Sequence, residues 1–449
     1  MEIKQLNDIK KFLPDINIKR VVLRDILKWL NEKEIIILLG ARQVGKTTII
    51  FQIISHILSE IVSLYKDSFE LHYFNLDFPH DKKLLSEDYI IRLAAKNQKK
   101  KIIFIDEMQR KENAGIFLKY LYDANLPVKL IVSGSSALEL KSKVTEALTG
   151  RKIVFNISPF NIPEIKDFLL QTQNNNLSDK TFANKDDKSY RGMLFKRAFD
   201  IYTEYGSYPS IVTTIESEKK ILRLKEIFTS YMEKDIKSFL EIKNENAFIN
   251  LITLLSASVG GLINMSEISN TLSIHQVTLD NYFYYLEQTF IIARLRPFFK
   301  NVRKEIVKSP RVFFNDIGFR NFAINNFNNL DIREDKGFVF ENFVYLILKE
   351  KVGQISKINF WRTKAGAEVD FIILKDLKPV PVEAKAKYFK KPAITPSMRS
   401  FINTYNPDAA FVINLNLNED IKLNGCIIRF MEVRSFEESF LEYYLDNLS

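Results

Sequence analysis

Eight residues, Gly40-Ala41-Arg42-Gln43-Val44-Gly45-Lys46-Thr47, have the spacing of a loop that cradles phosphate. The two glycines let the backbone curl so that successive N–H groups face the β- and γ-phosphates of a nucleotide. A helix opening at Gly45-Lys46 adds the positive end of its dipole. Lys46 reaches the β/γ oxygens, and the hydroxyl of Thr47 is a ligand for Mg2+. Thr48 completes the binding stretch. The flanks suit this chemistry. An apolar run at 35–39 reads as a strand, and 48–58 reads as a helix.

A second group stands at 102–107, where Ile102-Ile103-Phe104-Ile105 runs into Asp106-Glu107. Four apolar residues in a row predict a strand buried on both faces. Its carboxyl end is where open parallel sheets place ligands. Asp106 would hold Mg2+ through water, and Glu107 would polarise the attacking water as a general base. The competing reading is a helix N-cap followed by an acidic first turn. A strand at 129–135 ends in small polar residues. Ser135 is the choice for orienting the water or sensing the γ-phosphate, with Ser133 and Ser136 as rivals and a serine N-cap as the plain alternative. Arg151 precedes a last strand at 152–155. From the module's edge it either reaches a neighbouring subunit's nucleotide as an arginine finger or is a surface arginine.

The elements that position these residues follow from pattern. Residues 71–77 add a further strand, and 1–33 read as basic amphipathic helix, with Arg20 and Arg24 on a solvated face or, alternatively, touching nucleotide or a neighbour. Together GARQVGKT at 40–47, IIFIDE at 102–107, SGSS at 133–136, TGR at 149–151 and Ser158-Pro159-Phe160 resemble the AAA+ ATPases. More narrowly, the chain resembles, nearly end to end, a bacterial and archaeal family of AAA+ ATPases. Its members carry a C-terminal domain of unknown function similar to PD-(D/E)XK nucleases. The resemblance implies an ATP site with Mg2+, a helical lid over the nucleotide and a homo-oligomer.

Composition bounds the rest. Apolar residues at 46% and charged residues at 27% exclude a disordered chain. A net charge of +10 fits a polyanion partner such as DNA without demanding one. A single cysteine, Cys426, builds neither a disulfide framework nor a thiolate zinc site and suits a reducing cytoplasm. The longest apolar stretch, 247–263, is broken by polar residues and two glycines, so it reads as a core helix and no membrane span is expected.

The polar stretch 171–188 predicts a mobile loop, and 194–205 and 216–243 predict lid helices. Two helices follow 248–258 with a tight turn between them, a helix-turn-helix pattern. His275, Gln276, Thr278 and Asn281 open the candidate recognition helix. Two β-like stretches with Arg294, Arg296, Lys300, Arg303 and Lys304 suit a winged helix on duplex phosphates; the alternative is a winged helix that packs only on protein.

Near the C-terminus, Asp370 lies on one strand and Glu383-Ala384-Lys385 on the next, where Glu383 and Lys385 share a face. Asp370 and Glu383 would hold Mg2+, Lys385 would steady the nucleophile or phosphate, and Glu341 on the preceding helix is a further ligand. These four residues resemble the PD-(D/E)XK pattern; the alternative is a strand-face ion pair in an inert fold. The expected architecture is α/β: an AAA+ P-loop parallel-sheet core (1–170), a polar linker and helical lid (171–243), a winged helix-turn-helix (244–310) and a restriction-endonuclease-like α/β domain (311–449). The expected function is ATP hydrolysis coupled to DNA engagement or processing. The alternative is a nucleotide-gated signalling or scaffold ATPase with an idle C-terminal domain and a protein partner.

Overall fold

Short apolar runs, too brief for helices and bounded by polar residues, build the first sheet. The computed structural model describes residues 1–3, 5–14, 17–61, 69–135, 147–176, 188–237, 244–299, 309–352, 356–375 and 378–446. Strands β1 (Glu2–Ile3), β2 (Ile35–Leu39), β3 (Phe69–Asn75), β4 (Lys100–Asp106), β5 (Val128–Gly134) and β6 (Lys152–Asn156) form one sheet in the order β1-β3-β4-β5-β2-β6. Every pairing is parallel except that of β1 with β3. All five residues of β2 are buried, as a strand covered on both faces requires. The parallel register brings the carboxyl ends of β2, β4 and β5 to one edge, so Gly40, Glu107 and Ser135 leave the sheet side by side.

The N-terminal segment departs from the helical expectation. Glu2–Ile3 is a strand on the sheet edge, and among the described residues of this segment only Leu6–Ile9, Lys10–Phe12 and Leu23–Leu27 are helical. The Met1 ammonium donates to Tyr73 O (2.8 Å), and a two-residue strand carries no readable periodicity. The polar stretch also departs: the helix Ile162–Asn176 runs into it and Lys188–Tyr205 resumes after it, while 177–187 lie outside the described residues.

The lid region contains Ser217–Ser230 and then a π-helical turn, Tyr231–Lys237. Helices Glu245–Ala257, Met265–Leu272 and Gln276–Gln288 follow, with Asn264 capping the second through its side chain. An antiparallel hairpin comes next, β7 (Ile292–Leu295) with β8 (Arg311–Phe314), and it joins residues on both sides of the boundary expected at 310.

A second six-stranded sheet has the order β13-β14-β12-β11-β10-β9. Its strands are β9 (Ile358–Arg362), β10 (Glu368–Lys375), β11 (Lys378–Ala384), β12 (Ala409–Asn414), β13 (Glu419–Leu423) and β14 (Cys426–Glu432). One face packs on the helices Lys336–Val352 and Val433–Asp446 through Phe371, Ile373 and Phe411. The other packs on Pro396–Tyr405 through Val369, Ile372 and Val412. The first of these apolar clusters runs on through the middle of the chain to Ile36 beneath the phosphate loop, so the modules share one buried core. No helix among the described residues is long and apolar enough to cross a membrane.

Candidate functional site

The phosphate loop is shaped by two glycines and a buried arginine. A Cβ at Gly40 would lie 2.2 Å from Ile157 O, so only glycine lets the loop leave β2 against that backbone. Gly45 has φ +92° and starts the helix Lys46–His56. Arg20 is buried rather than on a solvated face. It donates to Val44 O (2.7 Å) and Ser158 O (2.6 Å) and pairs with Glu164 (3.0 Å). It thus ties the loop to the turn after β6. Arg24 is exposed, as expected.

Lys46 is buried and donates to Gly40 O (2.9 Å) and Ala41 O (2.7 Å), folding its ammonium back over the loop that faces phosphate. Burial pulls its pKa down to about 8, against the charges of Glu107, Asp106 and Asp235. Gln43 and Thr47 are exposed, whereas Ala41 and Val44 are buried and Thr48 is half-buried. Thr47 Oγ1 donates to Asp106 Oδ2 (2.6 Å), and Tyr73 OH donates to the same oxygen (3.2 Å). Ser133 Oγ and the Glu107 amide donate to Asp106 Oδ1. The buried carboxylate is therefore held on both oxygens and oriented toward the Thr47 hydroxyl.

Glu107 has φ +57°, the left-handed region that a non-glycine residue rarely occupies. Such strain collects at sites where a side chain must be aimed. Met108–Arg110 is a short 3-10 turn, so the N-cap of a long helix does not account for Asp106-Glu107. Gln109, buried, donates to Glu107 Oε2 and to Ser135 Oγ (2.8 Å), and Ser135 Oγ donates to Glu107 Oε2 (3.4 Å). Ser135 and Ser133 both enter the site, one beside Glu107 and the other on Asp106; Ser136 lies outside the described residues. Pattern reading misses Gln109, which has no motif signal beyond standing two residues after Glu107.

Asp235, on the π-helical turn of the lid, takes a role that pattern does not supply. Its carboxylate pairs with Arg42 Nε (2.9 Å) across the phosphate loop. Burial pushes its pKa up, while Arg42 and Lys46 oppose the shift. Arg42 Nη2 is buried with no hydrogen-bond partner. Buried orphan donors are rare, and this one sits on the turn between β2 and the helix Lys46–His56.

Arg151 stands before β6, at the amino end of the strand pair whose carboxyl end carries the phosphate loop. A five-residue strand spans roughly 17 Å, so Arg151 cannot serve its own chain's loop. It pairs with Asp123 (2.8 Å) while half-exposed.

The C-terminal carboxylates do come together. Asp370 sits where the β10–β9 register shifts, a bulge that re-aims side chains. Its Oδ2 accepts from Ala384 N (2.9 Å) and lies 3.4 Å from Lys385 Nζ, which is 3.6 Å from Glu383 Oε2. Thr395 donates to Glu383 Oε1 (2.6 Å). Burial pushes the Glu383 pKa up. Burial and then the Asp370 charge push up that of Glu341. Arg311 also enters the group, reaching Glu341 (2.8 Å) and Glu368 (2.9 Å). Pattern reading includes neither Arg311 nor Glu368 in this set. Among the described residues no group of three or more His, Cys, Asp or Glu is disposed to hold a metal ion.

His275 stands at the N-cap position of the helix Gln276–Gln288 without a capping hydrogen bond from its side chain. His275, Gln276 and Asn281 are exposed and Thr278 half-buried, beside Val277 at 73% exposure. Gln276 Nε2 donates to Ser266 Oγ (3.0 Å) across the turn. Arg294 is taken up by Glu287, and Lys300, Arg303 and Lys304 lie outside the described residues.

Residues 32–166 match the model of an AAA domain. Residues 196–330 and 336–435 each match a domain of unknown function. An uncharacterized protein of Methanocaldococcus jannaschii is 26% identical over 366 residues, covering 80% of this chain and 76% of that one. An uncharacterized protein of Haemophilus influenzae is 23% identical, covering 79% and 82%. Among solved structures, the Aeropyrum pernix ORC2 protein in ADPNP–ADP complexes is similar at 10% identity and TM-score 0.39, covering 72% of this chain and 99% of that chain. The Aeropyrum pernix ORC1 protein in complex with DNA is similar at 14% identity and TM-score 0.34, covering 72% and 97%.

Proposed function

We propose that this chain is an AAA+ ATPase that binds and hydrolyses ATP with Mg2+. The observation that carries the reading is the junction of Thr47, Asp106 and Glu107 at the carboxyl ends of β2 and β4. The match of 32–166 to an AAA domain supports it. The residues fit the groups: an orphaned buried donor on Arg42, an ammonium turned onto its own loop, and a hydroxyl beside an oriented carboxylate. Thr47 and, through water, Asp106 would hold Mg2+, which supplies charge neutralisation between the phosphates. Lys46 would leave Gly40 O and Ala41 O for the β/γ oxygens. Glu107, held by Gln109 and Ser135, would take the proton of the attacking water. Lys46→Ala should abolish turnover; normal hydrolysis by that variant, free of contaminating ATPases, would refute the assignment.

Arg151 would complete a neighbouring subunit's site, making the working form a homo-oligomer. The helix Gln276–Gln288 would lie against duplex DNA through His275, Gln276, Thr278 and Asn281, and the basic chain would supply phosphate contacts. DNA affinity should then fall steeply with salt. Salt-independent binding, or none at low salt, would remove DNA as the partner.

A second reading makes the C-terminal module a scaffold without catalysis. It is favoured by Arg311, whose guanidinium pairs with Glu341 and Glu368 among these carboxylates. The order helix Lys336–Val352, β9, β10, β11, helix Pro396–Tyr405, β12 supports a nuclease-like fold, yet a fold does not confer activity.

A further inference from the structure

Arg311 occupies the space that a divalent ion would need. Its guanidinium comes from β8 of the hairpin, neither from the sheet that bears Glu368, Asp370 and Glu383 nor from the helix that bears Glu341. Nη1 is 2.8 Å from Glu341 Oε1 and 4.0 Å from Asp370 Oδ1, and Nη2 is 2.9 Å from Glu368 Oε1. Lys385 closes the other side, 3.4 Å from Asp370 and 3.6 Å from Glu383. Both Arg311 and Glu341 are buried, and the Nη1–Oε1 contact is close without being aligned as a hydrogen bond. An ion held at about 2.0–2.1 Å by these oxygens would collide with the guanidinium and be repelled by it.

We propose that Arg311 is the resident cation of this cluster. It takes up the charge of Glu341, Glu368 and Asp370 in a divalent ion's place and keeps such ions out. The inference rests on reading these carboxylates as a nuclease-like set. The hairpin that brings Arg311 is tied to the rest of the chain. Two residues past β8, the Asp316 carboxylate accepts from Ser207 N (2.7 Å), just beyond the lid helix Lys188–Tyr205. Ser207 O in turn accepts from Phe160 N (2.8 Å), on the segment that Arg20 ties to the phosphate loop. A purely structural ion pair would lose stability when Arg311 is replaced and would gain no ion site.

The test is Mn2+ binding to the full chain without nucleotide, read by the loss of the free-ion paramagnetic signal. Wild type and Asp370→Asn should titrate alike. Arg311→Gln should gain one site per chain, at least tenfold tighter than any in wild type, and adding Asp370→Asn should remove it. Arg311→Lys, which keeps the charge, should stay like wild type. An Asp370-dependent site in wild type would overturn the proposal, as would Arg311→Gln gaining nothing. Should Arg311→Gln fail to fold, Arg311→Met, which keeps the apolar stem and drops the charge, takes its place with the same expected and overturning results. Ions at Thr47 and Asp106 are insensitive to Asp370→Asn, so failure of the ATP reading would not mimic either outcome.

Discussion

At the scale of single residues the proposed ATP site is a set of charges held in tension by burial. Lys46 has a pKa near 8 because its ammonium is desolvated, and phosphate would raise it. ATP binding above pH 8 must therefore take up a proton. Affinity should be flat with respect to this group below pH 8 and fall up to about tenfold per pH unit above it. Lys46→Arg, charged throughout, should lack that step. Dissociation constants measured from pH 7 to 10 for both proteins check this, and a flat wild-type profile would contradict it. Glu107 shows the same economy of means: a left-handed backbone aims the carboxylate, and Gln109 and Ser135 hold it there.

At the scale of elements, Arg20 joins the segment before β2 to the phosphate loop and to the helix Ile162–Asn176. Its pair with Glu164 is buried, at 5% and 3% side-chain exposure. Removing one partner of a buried pair leaves an uncompensated charge, at a cost of about 3–5 kcal/mol. Arg20→Met should show a loss of that size in urea unfolding, and Arg20→Met combined with Glu164→Gln should recover part of it. A loss under about 1 kcal/mol would place the pair among weak surface bridges instead. The lid reaches the loop through the pair of Asp235 with Arg42, from a π-helical turn of the kind that recurs at functional positions.

At the scale of the whole molecule, Arg151 and Glu107 belong to different sites if the arginine acts on a neighbour. Arg151→Ala and Glu107→Gln should each bind ATP and each lose turnover. Mixed in one assembly they should recover activity, because some interfaces then pair an intact Glu107 with an intact Arg151. Hydrolysis rates of the mixture against each variant alone decide this; no recovery at any ratio would argue against a shared site.

The phosphate loop, the Asp106-Glu107 pair and the strands that carry them are legible in the sequence because their signals are local. Glycine spacing, an apolar run and a following helix all lie within about twenty residues. Asp370, Glu383 and Lys385 are legible for the same reason, through the alternation of neighbouring strands. Strand β1 is not, being two residues long. The same holds for Arg20, Asp235, Gln109, Glu368 and Arg311, whose side chains look like ordinary polar residues of helices, turns or strands. Their roles arise from contacts made across the chain, as when Arg42 and Asp235 meet 193 residues apart. The sequence by itself determined which groups can meet a phosphate and where the backbone must bend to let them. Only the tertiary structure decided which buried charges neutralise them, because a desolvated charge takes whatever partner the packing brings within reach.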